Sequence, residues 1–169
     1  MKKITVFRIV TAVLILLLMG AIFSFSAQKA VESDKTSDGF ITVLCKTLVS
    51  RFSSLSKEEQ TETVKSLSFV VRKVAHMTEF AALGFLCALF AASYGFKFRF
   101  FALGYGFSVF YAATDEFHQL FVEGRSGQFS DVCVDAVGAL FGVFAAWLVC
   151  LAAKKIKNRK TTTVDCPQL

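Results

Sequence analysis

Ten polar side chains interrupt apolar stretches of this sequence in three short segments. They are Lys73, His76 and Glu79 in the first, Asp115, Glu116, His118 and Gln119 in the second, and Arg125, Asp131 and Asp135 in the third. A charged side chain within a membrane helix costs about 2.5–3.5 kcal/mol even on a lenient scale, so a group kept there is a candidate for function. We take these ten residues as the candidate polar cluster, in which each member could serve as a ligand contact or as a structural ion pair.

The types and spacing of these residues favour binding of a charged group. Lys73, His76 and Glu79 follow one another at intervals of three, so they line one face of a helix. Lys73 and Arg125 are suited to meet a phosphate or a carboxylate. Glu79, Asp115 and Asp131 could meet amines or orient those two bases. Pairs of opposite charge within the cluster, with Lys73 or Arg125 as the cation, are expected to reduce the cost of burial.

The same residue types could also form a metal site or a site for general acid–base catalysis. His76, Glu79, Asp115 and His118 are suitable metal ligands by type, but their spacing matches no strong metal signature, so we predict no metal and no cofactor. General acid–base catalysis by Glu79 or Asp115 with His118 stays open, although no nucleophile motif accompanies these residues. A proton pathway stays open as well, with few polar groups to continue it through the membrane.

The composition indicates what must position these groups. Hydrophobic residues make up 54% of the 169 residues and charged residues 19%, with 20 phenylalanines. A soluble domain of this length has too little interior for so much apolar surface, so the lipid bilayer is the expected partner. The net charge of +6 lies mostly at the ends of apolar runs, which is a membrane pattern rather than a nucleic-acid-binding one. Five scattered cysteines without a CxxC pair predict neither a zinc knuckle nor a redox motif.

The predicted fold class is all-α, an integral membrane bundle of about four helices in one domain, residues 1–160. A span needs roughly 20 apolar residues. The expected spans are residues 4–25, 69–96, 98–120 and 129–153, joined by an extracytoplasmic segment 27–68 and followed by a disordered cytoplasmic tail 161–169. The first span could instead be a signal peptide, but its apolar stretch exceeds the usual signal core of about 7–15 residues, so we favour an uncleaved anchor.

Basic residues predict the orientation of the bundle. They flank one end of every span, at Lys2, Lys3, Arg8, Lys97, Arg99, Lys154, Lys155, Lys157, Arg159 and Lys160, with almost no acid beside them. Segment 27–68 instead has six basic and six acidic residues. The positive-inside rule therefore predicts a multi-pass membrane protein with both termini in the cytoplasm. Chain direction then brings the polar cluster to the outer part of the membrane.

Three further patterns predict local structure and packing. Apolar residues at helical spacing indicate an amphipathic surface helix in segment 27–68, with its apolar face formed by Phe40, Ile41, Leu44, Leu48, Phe52 and Leu55. The capping-box pattern from Ser56 to Glu59 predicts that the second membrane helix begins near Lys57. Gly138 and Gly142, four residues apart, predict close packing of the last span against a neighbour.

Three motifs resemble those of the VanZ-like family. They are Arg72-Lys-Val-Ala-His-Met-Thr-Glu-Phe-Ala-Ala-Leu-Gly84, Asp115-Glu-Phe-His-Gln-Leu-Phe-Val-Glu-Gly-Arg125 and Ser130-Asp-Val-Cys-Val-Asp-Ala-Val-Gly-Ala-Leu-Phe-Gly142. Residues Ser24 to Gln28 also fit, whereas Phe80 and Glu123 stand where Tyr and Pro are common. The resemblance implies a multi-pass plasma-membrane protein of Gram-positive type with a role in the cell envelope. The founding member of the family is linked to teicoplanin-type glycopeptide resistance, and the resemblance implies no cofactor and no reaction.

Three hypotheses for function follow. The first is a non-enzymatic membrane factor whose outward-facing polar cleft binds a lipid-linked cell-wall precursor or a lipophilic glycopeptide. The second is a small membrane enzyme that modifies an envelope lipid or precursor, with the two histidines beside carboxylates as its machinery. The third is a transporter subunit or structural partner, in which the polar cluster serves helix assembly alone.

Overall fold

The computed structural model describes residues 2–162, apart from the side chains of Leu48 and of residues 159–162. The described residues form five α-helices and one 3-10 turn: α1 Lys2–Ser26, α2 Ala30–Leu48, the turn Phe52–Ser54, α3 Lys57–Ala92, α4 Phe98–Gln119 and α5 Phe129–Thr162. The predicted all-α class is confirmed. Thr161 and Thr162 continue α5, and the rest of the predicted tail, residues 163–169, lies outside the described residues.

Three helices have the length and apolar composition of a membrane span: Lys2–Ser26, Lys57–Ala92 and Phe129–Asn158. The predicted span 98–120 forms α4, which is about 33 Å long and therefore long enough to cross a hydrocarbon core of about 30 Å. Its composition falls short because glycines, tyrosines and the pair Asp115 and Glu116 lower its mean hydropathy. α4 nevertheless packs against α3 and α5, so a helical membrane bundle is formed.

α3 is the central helix, since α1, α2, α4 and α5 all contact it. The Arg8 guanidinium donates to the carbonyl of Ser93 at 2.7 Å, so the start of α1 meets the end of α3. Ser26, at the other end of α1, donates to Asp115 near the end of α4. α1 and α4 therefore run antiparallel to α3 and α5. We call the end that contains Ser26 and Asp115 the polar end, and the end that contains Arg8 and Ser93 the basic end.

α3 begins with the predicted capping box. The Ser56 hydroxyl accepts from the backbone N–H of Glu59 at 3.2 Å, and the Glu59 carboxylate accepts from the N–H of Ser56 at 2.9 Å. Two N–H groups that have no partner inside the helix are thereby satisfied. The predicted helix start near Lys57 is confirmed.

We expect Ser56→Ala to cost about 1 kcal/mol of helix stability at this terminus, the usual effect of removing an N-cap hydroxyl. Amide hydrogen exchange of the purified protein should then speed up over the first turns of α3. Ser53→Ala, in the preceding turn, is the matched control and should leave those amides unchanged. Equal exchange in the wild type and Ser56→Ala would contradict a stabilising role for the cap.

α2 packs against the first turns of α3, but not with the whole predicted face. Ile41, Cys45 and Phe52 form a small buried core with Val64 of α3. The predicted Phe40 is instead 61% exposed, and Leu44 and Leu55 are also exposed. This part of the predicted face is therefore open to the surroundings, and the predicted location of α2 on the membrane surface stays a prediction. The Leu48 side chain lies outside the described residues.

Small residues bring α5 close to α3. A Cβ atom built on Gly138 would lie 2.9 Å from the Met77 Cγ, and one on Gly142 would lie 2.8 Å from the backbone nitrogen of Phe85. Gly84 of α3 faces the backbone of Ala139 in the same way. These contacts join two helix backbones directly, as small residues do in lipid. The pair of helices that carries Lys73, His76, Asp131 and Asp135 is therefore held in a fixed register.

Candidate functional site

The polar cluster collects at the polar end of the bundle. α3 contributes Lys73, His76 and Glu79, α4 contributes Asp115, Glu116, His118 and Gln119, α5 contributes Asp131 and Asp135, and Arg125 lies in the loop between α4 and α5. Nine of the ten lie on helices that are packed against one another, so their relative positions are set by the bundle. His118 is turned towards α1, where its ring stacks on Phe23 at a centroid distance of 4.4 Å.

An ion pair joins the two most closely packed helices. The Lys73 ammonium donates to the Asp131 carboxylate, and the two side chains are 30% and 27% exposed. The pair therefore lies at the mouth of the cluster rather than in its interior. Arg72, the neighbour of Lys73, pairs with Asp34 of α2, which ties the surface helix to the polar end.

Four buried polar residues form the interior of the cluster: Asp115, Glu116, Gln119 and Asp135. The Gln119 amide donates to Asp115 at 3.2 Å and to Glu116 at 3.3 Å. Asp115 also accepts the Ser26 hydroxyl at 2.7 Å, and the backbone N–H of Gln128 donates to Glu116 at 2.7 Å. One amide thus bridges two carboxylates that would otherwise repel each other.

Arg125 fastens the α4–α5 loop to the end of α1. Its guanidinium donates to the carbonyl oxygens of Gln28 at 3.0 Å and Phe25 at 3.2 Å, and to the Gln119 side chain at 3.3 Å. The hydrogen-bond acceptors around Arg125 are therefore carbonyl oxygens rather than the expected carboxylate. The exposed carbonyls at the C-terminus of a helix attract a cation, which explains this choice.

The loop and its charge depend on two local features. Gly124 has φ +79°, in the left-handed region that favours glycine, and this bend lets Arg125 turn back towards α1. Burial lowers the pKa of the Arg125 guanidinium and the nearby Arg72 lowers it further, while Asp115, Glu116 and Asp34 raise it. An arginine remains charged through such a shift, so Arg125 supplies a fixed positive charge beside the clefts.

Two open clefts meet over the cluster. The first, which we call the central cleft, has a volume of about 190 Å³ and is lined by Lys73, Gln119, Gln128 and Asp131 among others. The second, the side cleft, has a volume of about 260 Å³ and is lined by Phe25, Gln28, Ser33, Thr36, Ser37 and Glu79 among others. Arg72, His76 and Arg125 line both clefts. Two arginines and a histidine thus stand on the boundary between two polar spaces.

Beneath the central cleft is a small void of about 30 Å³, lined by Lys73, His76, Glu116, Gln119, Asp131, Val134 and Asp135. Such a space has room for about one water molecule with polar partners on several sides. Three buried atoms of the cluster have no hydrogen-bond partner among the described residues: His76 Nδ1, Asp115 Oδ1 and His118 Nε2. Within residues 2–162, no group of His, Cys, Asp and Glu side chains is arranged to hold a metal ion.

Four residues of this end were not among the ten candidates. Arg72, Ser26 and Gln28 belong to segments quoted for the family resemblance, but their spacing alone gave no reason to add them. Asp34 lies on a predicted surface helix among other charges, so no sequence signal marked it as the partner of Arg72. Ion pairing between a surface helix and a membrane helix depends on how the two dock, which residue spacing does not specify.

Comparison with known proteins agrees with this architecture. The VanZ/LLP1 family model matches residues 11–151, a range that contains all ten members of the polar cluster and both packing glycines. Searches of curated proteins and of solved structures found no match. Three helices of the chain have the length and composition of membrane spans. Because the family model covers most of the chain, the chain belongs to the VanZ/LLP1 family of membrane proteins.

Proposed function

We propose that this protein is a membrane factor of the cell envelope that binds the polar head of an amphiphilic envelope molecule in its two clefts. The observation that carries the proposal is the position of Arg72, His76 and Arg125, which line both clefts. The clefts open at the end of a bundle whose sides are apolar. A molecule held there can place its charged group on the cations while its apolar part stays in the lipid.

The proposed orientation has the polar end outside the cell and both termini in the cytoplasm. The support is the charge distribution, since the basic end holds Lys2, Lys3, Arg8, Lys97, Arg99, Lys154 and Lys155, as the positive-inside rule expects of a cytoplasmic end. In this orientation the clefts face the compartment in which cell-wall precursors and antibiotics are met. The proposed location is the plasma membrane, with residues 1–160 as one membrane domain.

The proposed ligands are a lipid-linked cell-wall precursor or a lipophilic glycopeptide of the teicoplanin type. Arg72 and Arg125 would receive a phosphate or carboxylate, as arginine does in geometries with two parallel hydrogen bonds. Glu79, in the side cleft, would meet an amine of the ligand or orient Arg72. Through this binding the protein would contribute to glycopeptide resistance or to another task of the envelope.

The test is drug susceptibility of a sensitive Gram-positive host that expresses the protein. We expect wild type to protect against teicoplanin more than against vancomycin, and Glu79→Gln to lose most of that protection at equal abundance. A lost charge-assisted contact should weaken binding about tenfold, since 1.4 kcal/mol corresponds to that factor. Glu62→Gln, on an exposed turn of the same helix, is the matched control and should keep the protection. Equal protection by wild type, Glu79→Gln and empty vector would refute the resistance role.

A second candidate is a small membrane enzyme that acts on an envelope lipid or precursor. The observation that favours it is the pair of unpartnered buried atoms, His76 Nδ1 and Asp115 Oδ1, with Glu79 Oε2 at 3.8 Å from the former. Such groups are suited to move a proton. Mass analysis of the precursor pool with wild type and His76→Gln would reveal a modified species, and an identical pool in both strains would exclude this candidate.

A further inference from the structure

A second site candidate lies outside the polar cluster, along the middle of the bundle. α1, α3 and α4 enclose a groove of about 430 Å³ whose lining is wholly apolar. Its walls include Ala12 and Leu16 of α1, Phe90 of α3, and Leu103 and Phe107 of α4. Leu16 and Leu103 are largely exposed, so the groove is open to the surrounding lipid. We call it the acyl groove.

An arginine lies one helical turn beyond the groove lining on each of the two outer walls, α1 and α4. On α1, Arg8, Ala12 and Leu16 follow at intervals of four residues, and on α4, Arg99, Leu103 and Phe107 do the same. Residues four apart lie on one face of a helix, so each arginine stands one turn beyond the groove lining. Since both helices begin at the basic end, the two arginines stand at the same end of the groove.

The surroundings of Arg8 are suited to an anion. The Arg8 guanidinium donates to Ser93 through Nε and Nη2 and lies 3.8 Å from the centroid of the Tyr94 ring. Arginine has five N–H groups, so it can be oriented by Ser93 and still donate to a phosphate. The sequence has no Asp or Glu within residues 1–31, 80–114 or 136–164, so the basic end has no acidic side chain from these segments to compete for its cations.

We propose that the acyl groove and Arg8 and Arg99 together form a binding site for an anionic phospholipid. The acyl chain lies in the groove between α1 and α4, and the phosphate of the headgroup lies between the two arginines. An ordinary lipid-facing surface takes up acyl chains without regard to the headgroup. This site selects for negative charge because cations stand on both of its walls. The proposal does not depend on what the polar clefts bind.

The experiment compares lipids bound to the full-length protein purified in detergent. The protein is incubated with phosphatidylglycerol or phosphatidylcholine, and retained lipid is counted by native mass spectrometry. We expect wild type to retain phosphatidylglycerol in preference. Arg99→Gln should reduce phosphatidylglycerol retention about fivefold, the effect of one basic residue near an anionic group, whereas Arg99→Lys should keep it.

Two matched controls separate the site from general basic charge and general apolar surface. Lys155→Gln removes a cation from the basic end outside the groove and should leave retention unchanged. Ala12→Phe fills the groove and should abolish retention, whereas Ala145→Phe, on an exposed position of α5, should not. Equal retention of the two lipids by wild type, or equal losses in Arg99→Gln and Lys155→Gln, would overturn the proposal.

Discussion

Gly142→Ala is expected to destabilise the bundle by about 3 kcal/mol or more and to lower the yield of folded protein. A Cβ atom at this position would lie 2.8 Å from the backbone nitrogen of Phe85, and closer still to the carbonyl oxygen of Ala81. Both contacts are backbone atoms of α3, which cannot rotate away as a flexible side chain would. Overpacking a close-packed interface costs typically about 1–3 kcal/mol when side chains can adjust, and here the two helices themselves must move apart.

Gly106→Ala is the matched control for Gly142→Ala. Gly106 is also helical, but nothing lies within 4 Å of a Cβ built there. Alanine is favoured over glycine in a helix by about 1 kcal/mol, so this variant should be neutral or slightly stabilised. Thermal unfolding in detergent, followed by size-exclusion chromatography, measures both variants. Similar stabilities of Gly142→Ala and wild type would show that α3 and α5 do not pack backbone to backbone at Gly142.

Neutralising either member of the Lys73–Asp131 pair is expected to destabilise the protein by about 2 kcal/mol. Removing one partner of a fully buried pair costs about 3–5 kcal/mol because the other charge is left without compensation. Lys73 and Asp131 are 30% and 27% exposed, so water screens the remaining charge and reduces the effect. Lys73→Gln, Asp131→Asn and the double variant form a mutant cycle that isolates the coupling, measured by thermal unfolding.

The charge-swapped variant Lys73→Asp, Asp131→Lys distinguishes a structural pair from a binding one. It should recover stability, since the attraction between α3 and α5 is restored. Under the proposed function it should not recover binding or protection, because the central cleft would then hold an acid at position 73, beside the Arg72 that is proposed to bind the anionic group. Recovery of both would make the pair a helix-assembly device. The exposed pair Lys29–Glu123, whose members are 60% and 78% exposed, is the control, and its swap should change stability by less than about 1 kcal/mol.

Helix positions and the gathering of polar residues at one end of the bundle followed from sequence because they depend on local rules. The capping box at Ser56 begins α3 as predicted, and chain reversal between α3 and α4 near Gly95 places the polar ends of the helices together. These features need only the helix period, the length of a span and the preference of caps. All three can be applied to a single amino-acid sequence without knowledge of how the helices pack.

Partner choice did not follow, because it depends on how helices rotate and dock. Arg125 bonds to the carbonyls of Phe25 and Gln28, a hundred residues before it, and nothing in its spacing indicated this. The buried face of α2 includes Cys45 rather than Phe40, since the docking of α2 on α3 decides which side is covered. The acyl groove likewise exists only because α1 meets α3 and α4 at its ends and leaves a gap between.

The bonds that hold α1 at the polar end have a consequence for biosynthesis. Ser26 is bonded to Asp115, and the carbonyls of Phe25 and Gln28 are bonded to Arg125, at separations of 89, 100 and 97 residues. α1 is translated before α4, and these partners leave the ribosome only after α4 and its following loop have been translated. During that interval α1 must be kept in the bilayer by its own hydrophobicity, as independently stable helices are before they associate. The bonds at the polar end of α1 therefore form later than its contact with α3 at the basic end, where Arg8 meets Ser93.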